Sequence, residues 1–443
     1  MLAGTISSVL LAILAWTLPI GEVISLGFWS YKISETMTVL GRRLMVEPND
    51  QPILVFLYLG SAFWFAGAKT AKVETQFISL GTGITALLTA ALIVEPFLYA
   101  TILVELAVLA SIPILVTPQQ ESRKGILRFL TFQTLGMPFI LFSGWMLAGV
   151  EANPGDIALA GQAAVMIALG FGLMLGIFPF NTWMPMLAKE AHPYSAAFIF
   201  YILPVAVCLF GLNFLERYTW FYASSWLLVF LRLSGFLLTM SGGFLAFFER
   251  HVGKMMGYAM MVEIGLSLLA ISLGVGDSQN KPLIAWFFGL LLPRGLCLGL
   301  WGLSLSTIQS RIRDINITSI AGVARILPVA SFSLVLAIFT LAGFPLTAGF
   351  PVHLGLWQNL ARQFPIVNFA ALFGTAGLVA GGVRTLSVMI GDEKQVAWQT
   401  TEDWDQRLLL ILGGCAIIII GFFPQWFYPT IIRLANVYLR IGL

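Results

Sequence analysis

About thirteen stretches of this chain are apolar over a bilayer's thickness, and that repetition constrains the fold more than any other feature. A helix needs about 20 apolar residues to cross about 30 Å of hydrocarbon at about 1.5 Å per residue. Such stretches lie near 2–21, 51–68, 75–93, 96–116, 127–149, 160–180, 193–214, 224–247, 255–274, 283–305, 326–347, 366–390 and 408–430. Charge is correspondingly scarce: 10% of the 443 residues are Asp, Glu, Lys or Arg and 58% are hydrophobic, whereas soluble domains carry about 25% charged residues. Lipid must cover what charge cannot. The fold expected is an all-α polytopic membrane protein of about 13 transmembrane helices, since backbone groups in hydrocarbon have to bond internally. The first stretch has no basic segment before it and no small-residue cleavage site, so it reads as a retained helix.

Lysine and arginine sort unevenly between alternate loops. Lys69, Lys72, Arg123, Lys124, Arg128, Lys189, Arg250, Lys254, Arg311, Arg313, Arg325, Lys394 and Arg407 fall on one side. Arg217, Lys281, Arg362, Arg433 and Arg440 fall on the other, with Lys32, Arg42 and Arg43 in the loop 22–50. The richer side reads as cytoplasmic, which puts the N-terminus inside, the C-terminus outside and loop 22–50 outside. Within that loop YKISETMTVL alternates polar and apolar residues, as an extended hairpin does.

Several chemistries are excluded. A net charge of +3 gives no case for a nucleic-acid partner. Cys208, Cys297 and Cys415 stand far apart in apolar runs, and His192, His251 and His353 form no pair on one helix face. No disulfide framework, metal site or haem is expected, nor any cofactor or catalytic residue on this chain. GxGxxG, Walker A and GxSxG motifs are missing, and the polar stretches 305–325 and 391–407 are of a size that joins helices.

Ionisable residues inside apolar runs cost several kcal/mol each and are therefore functional candidates. They are Glu105, Arg232, Glu263, Arg294, His353 and Arg384, spread over six different helices, as a polar path through a bundle requires. Glu105 and Glu263 lie deepest and read as functional; Arg232 and Arg384 read as paired or snorkelling structural ions. Two stretches also contain breaks. GIFPFNTWMPMLAKEAHPYSAA holds Pro179, Pro185 and Pro193, and LAGFPLTAGFPVH holds Pro345 and Pro351 between and beside Gly343 and Gly349. Proline removes a backbone donor and clashes with the preceding turn. Broken helices at membrane depth are tolerated where protein or a water-filled cavity satisfies the loose groups, and a pair of them marks the ion site of repeat-built transporters.

FPFNTWMPMLAKEAHPYSAA resembles the signature, usually PFHTWLPDAH followed by proline and serine, of the antiporter-like membrane subunits of respiratory complex I and of multi-subunit cation/proton antiporters. The likeness continues along almost the whole chain. ALIVEPFLYATILVEL resembles the family's segment ending in an intramembrane glutamate, here Glu105; FFERHVGKMMGYAMMVEIG places Tyr258 on a tyrosine and Glu263 on a histidine position; LAGFPLTAGFPVH places His353 on a titratable position; GFFPQWFYPTIIRLA resembles the closing helix. The resemblance implies two inverted five-helix repeats, each with one broken helix: 75–215 and 222–390, after N-terminal helices and an outside loop (1–74) and before a cytoplasmic loop and last helix (391–443). Members of the family have fourteen helices with both termini outside; losing the first would give the thirteen counted here, with the N-terminus inside and loop 22–50 outside.

The departures bear on mechanism. In the family a glutamate pairs with a lysine, and further lysines lead to a lysine or glutamate on the second broken helix. Here the first two lysine positions are Met174 and Pro204, the third is Arg294, the exit group is His353, and Asn181 replaces the signature histidine. Arginine holds its proton, so Arg294 can fix a charge but not relay one. Glu105 has lost its usual partner, and a lone buried carboxylate is costly, so it should be neutral or find another cation, with Lys254, Arg232 and Arg294 the candidates. The ion path then consists of Glu105, Glu263, Arg294, His353 and Lys254.

The resemblance implies a subunit of a complex I-type NADH- or ferredoxin-quinone oxidoreductase. It would contribute to proton translocation in an energy-coupling membrane, bacterial inner or thylakoid-type, beside other membrane subunits and driven indirectly by redox subunits. The alternatives are a subunit of a multi-subunit Na+(K+)/H+ antiporter, or a structural subunit that has lost transport.

Overall fold

A computed structural model describes residues 2–26, 29–39, 41–116, 123–152, 156–218, 225–275, 281–312, 314–391 and 398–438. Arg313, Lys394 and Arg440, counted above for orientation, lie outside the described residues. The chain begins with α1 (Leu2–Thr17) and two hairpins, β1–β2 (Val23–Leu26, Trp29–Lys32) and β3–β4 (Thr36–Val39, Arg42–Met45). It continues through α2 (Gln51–Gly67), α3 (Gln76–Ile93), the short β5 (Val94–Glu95), α4 (Ala100–Leu115), α5 (Lys124–Ala152), α6 (Ile157–Met174), α7 (Trp183–Glu190) and α8 (Pro193–Arg217). Then come α9 (Ser225–Phe248), α10 (Val252–Val275), α11 (Ala285–Arg311), α12 (Pro328–Leu341), α13 (Phe350–Gln363), α14 (Pro365–Ile390), α15 (Trp404–Phe422) and α16 (Tyr428–Val437).

Among the described residues the protein is all-α apart from two small sheets, built from loop 22–50 and the short β5. β3 pairs antiparallel with β4 around Gly41, whose φ of +75° suits a residue without Cβ, and β5 adds to β4 through Arg43–Glu95 and Leu44–Val94. The polar–apolar alternation in 31–40 therefore contributes to both hairpins rather than to one.

Among the described residues, eight helices are long and apolar enough to cross a membrane: α3, α5, α8, α9, α10, α11, α14 and α15. Five shorter ones, α1, α2, α4, α6 and α12, are also predominantly apolar. Three expected stretches end early. α6 stops at Met174 and α12 at Leu341 because Phe178-Pro179 and Phe344-Pro345 follow, and the stretch 408–430 divides at Pro424 into α15 and α16.

Burial sorts the helices into an interior and a perimeter. The most apolar windows of α8, α10 and α11 are 83%, 94% and 89% buried, while that of α15 is 22% buried. Most of each of the first three is therefore shielded from lipid. α10 packs on α9, α7 and α11; α11 packs on α8, α12 and α13; α9 lies against α14. That last approach is backbone to backbone, since a Cβ on Gly243 would strike Gly374.

Candidate functional site

Glu263 of α10, Arg294 of α11 and His353 of α13 meet in the interior, each exposing 1% of its surface or less. Arg294 Nε donates to Glu263 Oε2 at 2.8 Å, and its Nη2 donates to the Glu263 carbonyl at 2.9 Å and to Ser267 Oγ at 2.5 Å. Ser267 stands one helical turn after Glu263 and donates to the same carbonyl at 2.8 Å. The guanidinium is thus locked to α10 by charge-assisted bonds that offset part of its desolvation.

The break between α12 and α13 sets the histidine. Gly343 takes φ +68°, and a Cβ there would lie 2.7 Å from the His353 ring, so only glycine closes the turn against the imidazole. Gly349 caps α13, and its carbonyl lies 2.8 Å from His353 Nδ1. A carbonyl only accepts, so Nδ1 carries a hydrogen and Nε2 of a neutral ring is an acceptor. His353 Nε2 faces Glu263 Oε1 at 3.8 Å, and neither atom makes a hydrogen bond among the described residues. Two buried acceptors aimed at one another define a place for a proton.

Glu105 sits apart from this cluster. The residue is 8% exposed on α4; Oε1 accepts from Thr134 of α5 at 2.7 Å, and the buried Oε2 makes no hydrogen bond among the described residues. No cation lies within ion-pair distance of it among the described residues. The three cations expected to compensate Glu105 are engaged elsewhere. Lys254, in the first turn of α10, pairs with Glu249 at 3.7 Å; Arg232 lies 4.0 Å over the Phe364 ring; Arg294 belongs to Glu263. The reason is placement: Lys254 is at a helix end while Glu105 is mid-helix, and the neighbour that reaches Glu105 carries a hydroxyl.

Met174 ends α6, buried, and its carbonyl accepts from Gln133 Nε2 at 2.8 Å; Pro204 is buried inside α8. Neither side chain can bind a proton. Pro179 caps a single 3-10 turn (Phe180–Thr182), and Pro185 falls in the first turn of α7, where a missing N–H costs no helical bond. Pro351 plays the same part in α13, while Pro345 lies in the turn before it. Asn181 is buried beside the first break. Arg384 donates to the Glu249 carbonyl, which anchors α14 to the α9–α10 turn. Among the described residues, no group of three or more His, Cys, Asp or Glu could hold a metal ion.

Sequence reasoning missed two residues that the geometry brings forward. Ser267 carries no charge and so escaped a scan for ions. Glu402 lies in the stretch taken as a simple connection, yet it is 5% exposed and accepts from the Ala330 N–H of α12 at 2.8 Å. Burial pushes its carboxyl up from the ordinary range, opposed by bonds from the Ala330 and Val329 N–H groups and by Arg407.

Residues 125–378 match the family described as NADH:quinone oxidoreductase/Mrp antiporter, transmembrane. NADH-quinone oxidoreductase subunit N of Thiobacillus denitrificans is 23% identical over 440 residues, spanning 93% of this chain and 89% of its own. The fold is shared with a chain of the membrane-bound sulfane sulfur reductase, an archaeal respiratory membrane complex (TM-score 0.79, 16% identity, 99% and 92% of the two chains covered). It is shared as well with a chain of respiratory complex I from Thermus thermophilus with bound NADH (TM-score 0.72, 18% identity, 100% and 94% covered). With more than half its length inside the matched region, this chain belongs to the NADH:quinone oxidoreductase/Mrp antiporter family of transmembrane proteins.

Proposed function

We propose that this chain is an antiporter-like membrane subunit of a complex I-type quinone oxidoreductase, and that it moves protons through the Glu263–Arg294–His353 cluster. The observation that carries this reading is the 3.8 Å gap between Glu263 Oε1 and His353 Nε2, two buried acceptors that make no hydrogen bond among the described residues. A proton delivered to the gap is held from both sides. Arg294 fixes the other carboxylate oxygen, so Glu263 cannot swing away to solvate itself. The turn before α13 holds the ring by Nδ1, so the exchange takes place at Nε2 alone. Arg294 stays charged throughout and contributes field, not protons.

The energy would come from electron transfer in partner subunits, which would carry the redox groups; the direct neighbours would be other membrane subunits. The membrane would be an energy-coupling one, with the N-terminus on the cytoplasmic side, as the loop charges suggest. The names of the curated relatives support the oxidoreductase setting over a stand-alone antiporter.

The test is proton uptake per electron by the assembled complex in vesicles. Glu263→Gln and His353→Ala are expected each to lower it while leaving electron transfer with an uncoupler in place. Parental pumping by both variants would leave this chain a structural subunit. Recovery of the chain with small membrane subunits and no redox subunit would favour the antiporter setting instead.

A further inference from the structure

The residues before α15 form a strap across the entrance to the second broken helix. Gln399 N donates to the Arg325 carbonyl at 2.9 Å and Thr401 N to the Ile326 carbonyl at 3.1 Å, just ahead of α12. Arg311, the last residue of α11, donates to the Thr401 carbonyl at 2.9 Å and meets Asp403 at 3.6 Å. Asp403 also meets Lys72 at 3.5 Å, and Asp405 accepts from Thr70 at 3.3 Å, both in the α2–α3 turn.

Glu402 is the buried member of this strap. α12 starts at Pro328 with Leu327 at its cap position, a residue with no side-chain acceptor to offer. The free N–H groups of the first turn need one, and Glu402 supplies it from 72 positions away. A carboxylate at a helix N-terminus is further favoured by the helix dipole. The other end of α12 leads into the Gly343–Gly349 turn that cradles His353. With 14 residues, α12 is a rod about 21 Å long between the two. α11, tied to the same strap through Arg311, carries Arg294.

We infer that Glu402 is a positioning residue for the buried cluster: by capping α12 from the strap that also grips α11, it sets where His353 stands against Glu263. Its functional meaning rests on the proton reading given above, but its structural content can be read separately.

The chain has three histidines, so the full protein, labelled with [15N]histidine and purified in lipid through a histidine-free tag, gives three imidazole signatures. His353→Gln assigns the one that matters. Glu402→Ala is expected to move the His353 titration midpoint by about half a pH unit or more and to weaken its Nδ1–H signature, with His192 unmoved. Glu402→Gln, which keeps an acceptor oxygen, is expected to fall between variant and parent. An unchanged His353 signature in Glu402→Ala overturns the proposal. If the alanine variant does not fold, an unchanged signature in Glu402→Gln overturns it equally, because Glu402 would then be a cap for folding alone. Loss of the proton reading in the vesicle assay would leave this result standing, and the reverse also holds.

Discussion

Two glutamates on separate apolar helices, α4 and α10, meet different fates in this molecule. Glu105 follows Tyr-Ala-Thr-Ile-Leu-Val on α4, and Glu263 follows Tyr-Ala-Met-Met-Val on α10; each accepts a bond from the helix that comes next in the chain. For Glu105 the donor is Thr134, for Glu263 it is Arg294. The breaks extend the parallel. Phe178-Pro179 and Met184-Pro185 are spaced as Phe344-Pro345 and Phe350-Pro351 are, and each break opens with a glycine of positive φ, Gly176 and Gly343. Counted from those prolines, the position of His353 is filled by the buried Leu187. One scaffold therefore carries a charged, titratable cluster in one place and a hydroxyl and a leucine in the other. The difference teaches that two similarly spaced helix breaks can carry different chemistry at corresponding positions.

The strongest way to break this comparison is to remove the cation. Arg294→Met would leave Glu263 buried without its counter-charge, at a cost of about 3–5 kcal/mol. It is expected to drop the thermal midpoint sharply or prevent assembly. Glu105→Gln keeps an acceptor for Thr134 and leaves no charge stranded, so it is expected to cost less than about 1 kcal/mol. Similar losses from the two variants, measured by thermal unfolding in lipid, would erase the distinction between the sites.

A smaller contrast concerns the hydroxyls. Thr134→Val removes the one donor to Glu105, and a buried acceptor left unpaired costs about 1–3 kcal/mol. Ser267→Ala removes one of several bonds to Arg294, while Nε and Nη2 stay on Glu263, and is expected to cost about 1 kcal/mol or less. A larger loss from Ser267→Ala would mean that the guanidinium depends on the serine for its place.

The breaks were legible in the sequence because proline acts locally: Pro179 and Pro345 stop their helices whatever surrounds them. The members of the buried cluster were legible one at a time, because an ion in an apolar run is conspicuous. Their grouping was not, since Glu263, Arg294 and His353 meet across long sequence separations that only packing decides. The partner of Glu105 was misjudged for a related reason, as a search among cations passes over a threonine. Glu402 left no trace because a helix cap donated from a distant loop has no local pattern, unlike the capping box that Asp403 and Gln406 form within four residues at the start of α15.

At neutral pH the smallest effect expected belongs to His192, the histidine nearest the first break. It stands between α7 and α8, at the N-terminal cap of α8, with Nδ1 unpartnered. Burial pulls its pKa down to about 4 from the usual 6.5, so the ring is neutral at neutral pH and adds no pH dependence there. The folded state takes up this proton less readily than the unfolded chain. Below pH 6.5 the unfolded chain binds it first, and stability falls until the folded ring also titrates near 4. His192→Gln removes that slope. Thermal midpoints of variant and parent are therefore expected to agree above pH 7 and to separate between pH 6.5 and 4, with the variant losing less. A histidine beside the first break whose replacement changed the midpoint at neutral pH would be holding a proton there, and the first half would no longer be the uncharged counterpart of the second.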